Sequence, residues 1–132
     1  MKPATASRIL FWAALFNWLV GLGLLLAPNL FLSVSLITPP VGNPHWAGQF
    51  GWLVLMFGVG YFWASRDLVQ NRQIVRLAIP AKLGVGAVAL AHVFAGNVSW
   101  QIMIPAGADV AWAVLFVACL RAVPLGVEGS QP

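Results

Sequence analysis

Between Ile9 and Ser65 the chain carries not one charged side chain. The apolar residues there come in long blocks separated by proline and short polar stretches. A helix that crosses a hydrocarbon core needs roughly 20 residues. Four such blocks are present: Ile9 to Ala27, Trp46 to Ala64, Ile74 to Ala95, and Ile102 to Val123. Pro28 ends the first, because the residue before a proline is pushed out of the helical region. Pro105 fits the first turn of the fourth, where its missing N–H costs nothing. Pro80 falls inside the third. There it removes one backbone bond and crowds the carbonyl of Arg76, which predicts a kink near the start of that helix.

The connection from Pro28 to His45 is long and holds Pro39, Pro40 and Pro44. Within it, Leu30 to Ile37 is apolar but too short to span. An open strand edge in lipid leaves backbone groups unsatisfied, so this stretch predicts a short helix lying at the interface. A cap over the outer mouth is the alternative. The expected architecture is therefore an all-α integral membrane protein. It is a single domain over residues 1–132, a four-transmembrane-helix up-down bundle with a short interfacial segment in the first outer loop. Gly126 to Pro132 reads as a frayed tail.

Composition supports a bilayer as the solvent. Of 132 residues, 61% are hydrophobic and 8% charged, against about a quarter charged in soluble domains. A soluble globule this small does not bury that much apolar surface, which excludes a soluble enzyme, a disordered tail and a disulfide scaffold. The net charge of +4 would point to nucleic acid in a soluble protein. Here the cations are spaced as topology markers, and no nucleic-acid partner is expected. Lys2, Arg8, Arg66, Arg72, Arg76 and Arg121 fall at one end of the expected bundle, and the loops at the other end have no Lys or Arg. The positive-inside rule then places both termini in the cytoplasm. Trp46 and Trp100 would mark the outer interface and Trp12 and Trp63 the inner one, with Trp18, Trp52 and Trp112 filling the bundle. The first apolar run exceeds the usual signal-peptide length of about 7–15 residues. No small-x-small site follows it, so a retained helix is expected. Cys119 is the one cysteine, which removes any intrachain disulfide or CxxC chemistry.

Polar groups inside the spans carry the only informative chemistry, because each must be satisfied there. At roughly 1.5 Å per residue from the inner end, Tyr61 and Lys82 lie about 8 and 9 Å deep, Asn17 about 13 Å, Asp109 about 18 Å, and Gln49 and His92 near 24 Å. These six form a candidate intramembrane polar pocket. Lys82 and Asp109 are the charged residues well inside the spans, and they have opposite sign. Their height gap of about 9 Å exceeds the reach of a lysine stem, so pairing would need tilt, the Pro80 kink or a bridging water. Otherwise Lys82 snorkels to headgroups. Asn17 with Gly21, Gly51 with Gly58, and Gly84 with Gly86 read as helix-packing positions. His45 and His92 lack an accompanying carboxylate or thiolate, and no catalytic, cofactor-binding or metal-binding residue is assigned.

Several signposts together resemble a known group. They are Arg8, Phe11-Trp12, Asn17-Trp18, Gly21, Gly23 and Pro28 in the first helix, and Gln49-Phe50-Gly51, Phe57-Gly58, Gly60-Tyr61 and Arg66-Asp67 in the second. Lys82 in the third and Asp109, Trp112-Ala113 and Phe116 in the fourth complete the set. The chain resembles small four-helix bacterial membrane proteins of the DoxX-like kind. That resemblance implies a four-helix bundle with both ends in the cytoplasm. Some relatives are linked to quinone or thiol oxidation, but this chain has no cysteine pair to support a thiol role.

The leading expectation is a structural or accessory bundle, lipid-interacting, acting through membrane lipids and through a second copy or another membrane protein. The alternatives are a proton-coupled small-molecule transporter using Asp109 and Lys82, or a quinone-linked membrane oxidoreductase subunit. A polar cavity around the charged pair would favour transport, a filled bundle the structural reading, and a groove beside Trp52 or His92 a lipid or quinone ligand.

Overall fold

The computed structural model describes residues 1–123, so the expected tail Gly126 to Pro132 lies outside the described residues. All regular structure among them is helical: α1 Pro3–Leu26, α2 Pro28–Val34, α3 Pro44–Arg66, α4 Arg72–Phe94 and α5 Met103–Ala122, the last preceded by a 3-10 turn at Trp100–Ile102. Four helices are long and apolar enough to cross a membrane: α1, α3, α4, and α5 with its 3-10 turn. Many large apolar side chains stay on the outside, among them Leu19, Leu26, Leu77, Phe94 and Val114.

Helix ends fall where local chemistry puts them. α1 starts at Pro3 rather than Ile9, since Pro3 occupies the first turn, where no N–H is required. α3 starts at Pro44, with the Asn43 side chain accepting from the His45 backbone N–H at 3.0 Å. His45 therefore sits in the first turn of α3 and not in a loose loop. α4 starts at Arg72 and runs through Pro80 without a break. Two helices close in the same way. Ile37 N–H donates to Leu32 O and Leu36 N–H to Ser33 O after α2; Asn97 N–H donates to His92 O and Gly96 N–H to Val93 O after α4. Each closure needs one residue of positive φ. Gly96 supplies it at 71°, and Leu36, a side-chain-bearing residue, supplies it at 56°.

The four long helices are not packed evenly. α1 lies closely along α3 and α4 along α5, while the two pairs meet more sparingly through α1–α5 and α3–α4. The α1–α3 contact is made by small residues spaced seven apart on both helices. Ser7 Oγ donates to Ser65 O at 2.6 Å. A methyl on Gly58 would come within 3.2 Å of Ala14 O, and one on Gly51 within 2.7 Å of Gly21 O. Ser7, Ala14 and Gly21 thus meet Ser65, Gly58 and Gly51 in antiparallel register, and a seven-residue period is that of a left-handed helix pair. The best-filled core occupies the end of the bundle that carries the cations, where Leu10, Tyr61, Val75, Phe116 and Cys119 are fully buried.

At that basic end, the Arg72 guanidinium donates to the carbonyls of Leu120, at 2.6 Å, and Val123. The cation thereby satisfies orphan acceptors at the C-terminus of α5. At the opposite, uncharged end, the loop after α2 is tied across to the α4–α5 connection: Ser99 N–H donates to Thr38 O at 2.8 Å, and Thr38 N–H to Ser99 Oγ at 2.9 Å. Ile37, beside this tie, is buried. The loop after α2 thus crosses the uncharged end, while α2 itself lies against α1 and α3, with Phe31 packed where Gly23 has no side chain.

Candidate functional site

Lys82 is the centre of the polar chemistry. It projects from α4 into the bundle and is 7% exposed, against 20% for Asp109. Its Nζ donates to Asp109 Oδ1 on α5 and to Asn17 Oδ1 on α1 at 3.2 Å. The rings of Tyr61 and Phe16 lie 5.5 and 5.9 Å from the same nitrogen, within the range of cation–π attraction. Asn17 is fixed in turn, its Nδ2 donating to Val54 O on α3 at 3.1 Å. The ammonium therefore meets a carboxylate, an amide oxygen and two aromatic faces drawn from α1, α3 and α5.

The direct pairing has a simple geometric cause. Counted from the observed start of α4 at Arg72, Lys82 lies about 15 Å along its helix, and Asp109 about 20 Å from the far end of α5. The gap falls to about 5 Å, within reach of an extended lysine, and neither snorkelling nor a bridging water is required. Tyr61 seals the centre from the basic side, its ring 4.9 Å from that of Phe116 across the bundle diagonal. The rings of Trp112 and Phe16 meet at a tilt beside it, 6.1 Å apart.

Of the six sequence-predicted residues, Lys82, Asp109, Asn17 and Tyr61 come together and Gln49 and His92 do not. His92 lies in the last turn of α4, with Asn97 Nδ2 3.1 Å from its Nδ1. Gln49 faces outward on α3, its Nε2 3.0 Å from His45 Nε2. Trp52, expected to fill the bundle, is instead 53% exposed. His45, Gln49 and Trp52 line one side of an open groove of about 530 Å³, with Gly48, Leu53 and Leu25. A second hollow of about 340 Å³ lies at the basic end beside Ser7, Ser65, Arg66 and Val123. Neither hollow includes Lys82 or Asp109. Sequence reasoning did not single out Phe16, whose ring completes the cage; its place next to Asn17 was the available signal. It also missed the tie between Thr38 and Ser99, two common loop residues without a distinguishing pattern.

Comparison with protein families, with curated proteins and with solved structures finds no match to this chain.

Proposed function

We propose that this chain is a multi-pass protein of the bacterial inner membrane, DoxX-like, with both termini in the cytoplasm, and that it works as a structural or accessory, lipid-interacting bundle. The observation that carries this reading is the self-sufficiency of the polar centre. Lys82 has a carboxylate, an amide oxygen and two ring faces as neighbours, and aromatic side chains fill the space around it. A transport site needs the opposite: charged groups held ready for a ligand and open to one side. The orientation rests on the gathering of Lys2, Arg8, Arg66, Arg72, Arg76 and Arg121 at one end of the bundle.

Proton-coupled transport is the second reading, and one observation favours it. The ion pair sits deep in the bundle, and Lys82 also reaches Asn17 in the other helix pair, so a rocking of the pairs would change its surroundings. Purified protein in liposomes loaded with a pH-sensitive dye separates the two. Under an imposed membrane potential, the bundle reading expects wild type and Asp109→Asn to leak protons equally. A flux that Asp109→Asn abolishes overturns it. A C-terminal alkaline phosphatase fusion should be inactive; an active fusion overturns the orientation.

A further inference from the structure

The short helix α2 has no buried residue. Phe31 turns toward Gly23 of α1. Leu30 and Val34, one turn apart, are 65% and 76% exposed. Asn29 and Ser33, also one turn apart, form the neighbouring exposed stripe. At about 100° per residue, the apolar and polar stripes lie to either side of the direction opposite the Phe31 face. Protein, apolar and polar sides thus divide the circumference, as expected of a helix lying at a bilayer surface beside a bundle. Leu22 and Leu26 carry the exposed apolar surface of α1 to the start of α2. Residues 27–43 and 95–99, which make the connections at this end, hold no charged side chain. No charge therefore keeps α2 out of lipid, and no headgroup charge is needed to hold it there.

The hydrogen bonds of α2 point the same way. Ser33 Oγ donates to Leu30 O and Ser35 Oγ to Phe31 O, both at 2.9 Å, and Asn29 Oδ1 accepts from Val41 N–H at 2.8 Å. The carbonyls of Leu32 and Ser33, left over at the helix C-terminus, are taken up by Ile37 N–H and Leu36 N–H. That closure holds Leu36 at positive φ, which is costly for a residue with a side chain, and the side chain is 70% exposed. In water the carbonyls would be solvated without strain, and an exposed leucine would offset nothing. In lipid both observations have one cause: an unpaired carbonyl is expensive there and an exposed leucine is favoured. We propose that α2 is embedded at the boundary of hydrocarbon and headgroups on the uncharged side. Leu30, Val34 and Leu36 lie among the acyl chains, and Asn29 and Ser33 among the headgroups. The partner is the lipid surface itself. The proposal rests on the membrane reading above and adds to the four spans a fifth element held by lipid.

The experiment is nitroxide labelling of single cysteines in a Cys119→Ala background, in phosphatidylcholine liposomes. Relaxation by oxygen, which concentrates in hydrocarbon, is compared with relaxation by a neutral nickel chelate, which stays in water. Leu30→Cys, Val34→Cys and Ser33→Cys report on α2. Leu19→Cys on the exposed face of α1 and Gln70→Cys in the exposed connection at the basic end supply the lipid and water references. The oxygen-to-nickel ratio at 30 and 34 is expected to approach that at 19, with 33 between 19 and 70. Leu30 and Val34 are each exposed, so either serves if the other variant fails to fold. A ratio at 30 and 34 equal to that at 70 would place α2 in water and overturn the proposal. Exclusion of both reagents would mean that protein covers α2, which overturns it equally. Nickel contact at 19 as well would overturn the membrane reading along with it, so the two failures are distinguishable.

Discussion

A single methyl group at Gly51 tests the packing of α1 on α3. In Gly51→Ala the new carbon would stand 2.7 Å from Gly21 O, 2.8 Å from Leu25 N and 3.0 Å from Leu24 Cβ. Two of these obstacles are backbone atoms, so no rotamer change relieves them. Restoring an ordinary contact requires the two helix axes to separate by about 0.7 Å at the crossing, and overpacking of this kind costs about 1–3 kcal/mol. Alanine is also a better helix former than glycine by about 1 kcal/mol, which would mask part of the loss. Gly84→Ala isolates that gain, because Gly84 is also mid-helix but a methyl there meets nothing within 4 Å. Thermal unfolding in dodecylmaltoside, followed by the fluorescence of the seven tryptophans, should rank Gly84→Ala at or above wild type and Gly51→Ala clearly below both. Adding Gly21→Ala to Gly51→Ala should cost less than the two singles together, because both methyls open the same gap. If Gly51→Ala falls within about 0.5 kcal/mol of Gly84→Ala, the limit of ordinary additivity, the helices do not meet at backbone distance and the register derived above is wrong.

The charged pair predicts a coupled cycle: Asp109→Asn should destabilise the protein by about 3–5 kcal/mol, since it strands the buried Lys82, and Lys82→Met by less, since Asp109 is 20% exposed. The double variant should recover at least about 1 kcal/mol in the same unfolding assay, and additive losses would mean that the pair carries no joint energy. Leu36→Gly should stabilise by about 1 kcal/mol, because a side chain in the left-handed region is relieved; an unchanged midpoint would show that the loop after α2 does not hold that conformation in solution. Arg72→Met should lose about 1.5–3 kcal/mol with the charge-assisted bonds to α5, and amide exchange should accelerate in the last turn of α5 ahead of the rest of the helix.

The spans were legible because prolines and a charge-free stretch from Ile9 to Ser65 leave little choice. Their starts were less so. α1 and α4 begin among polar residues, at Pro3 and Arg72, which a search for apolar runs passes over, and heights counted from these observed ends bring Lys82 within reach of Asp109. Azimuth was the larger loss. Depth along a helix can be counted, and it correctly put Gln49 and His92 near the uncharged end. Which side faces inward cannot be read when a helix is apolar all round, so Trp52 was expected in the core and is outside. The seven-residue spacing of Gly51 and Gly58 was visible, but its partners Gly21 and Ala14 needed the relative height of two helices, which only packing defines.

On the membrane reading proposed above, the pairing of α1 with α3 and of α4 with α5 bears on how the chain would enter the bilayer during synthesis. Asn17 finds its acceptor, Val54 O, within the first pair, and Lys82 finds Asp109 within the second. Each hairpin can therefore leave the translocation channel with its costly groups already matched, the second one carrying no net charge into hydrocarbon. The bonds that cross between hairpins, Lys82 to Asn17 and Thr38 to Ser99, would then form afterwards, when the hairpins dock. On that reading the chain would assemble as two halves, each with its costly polar groups matched before they meet.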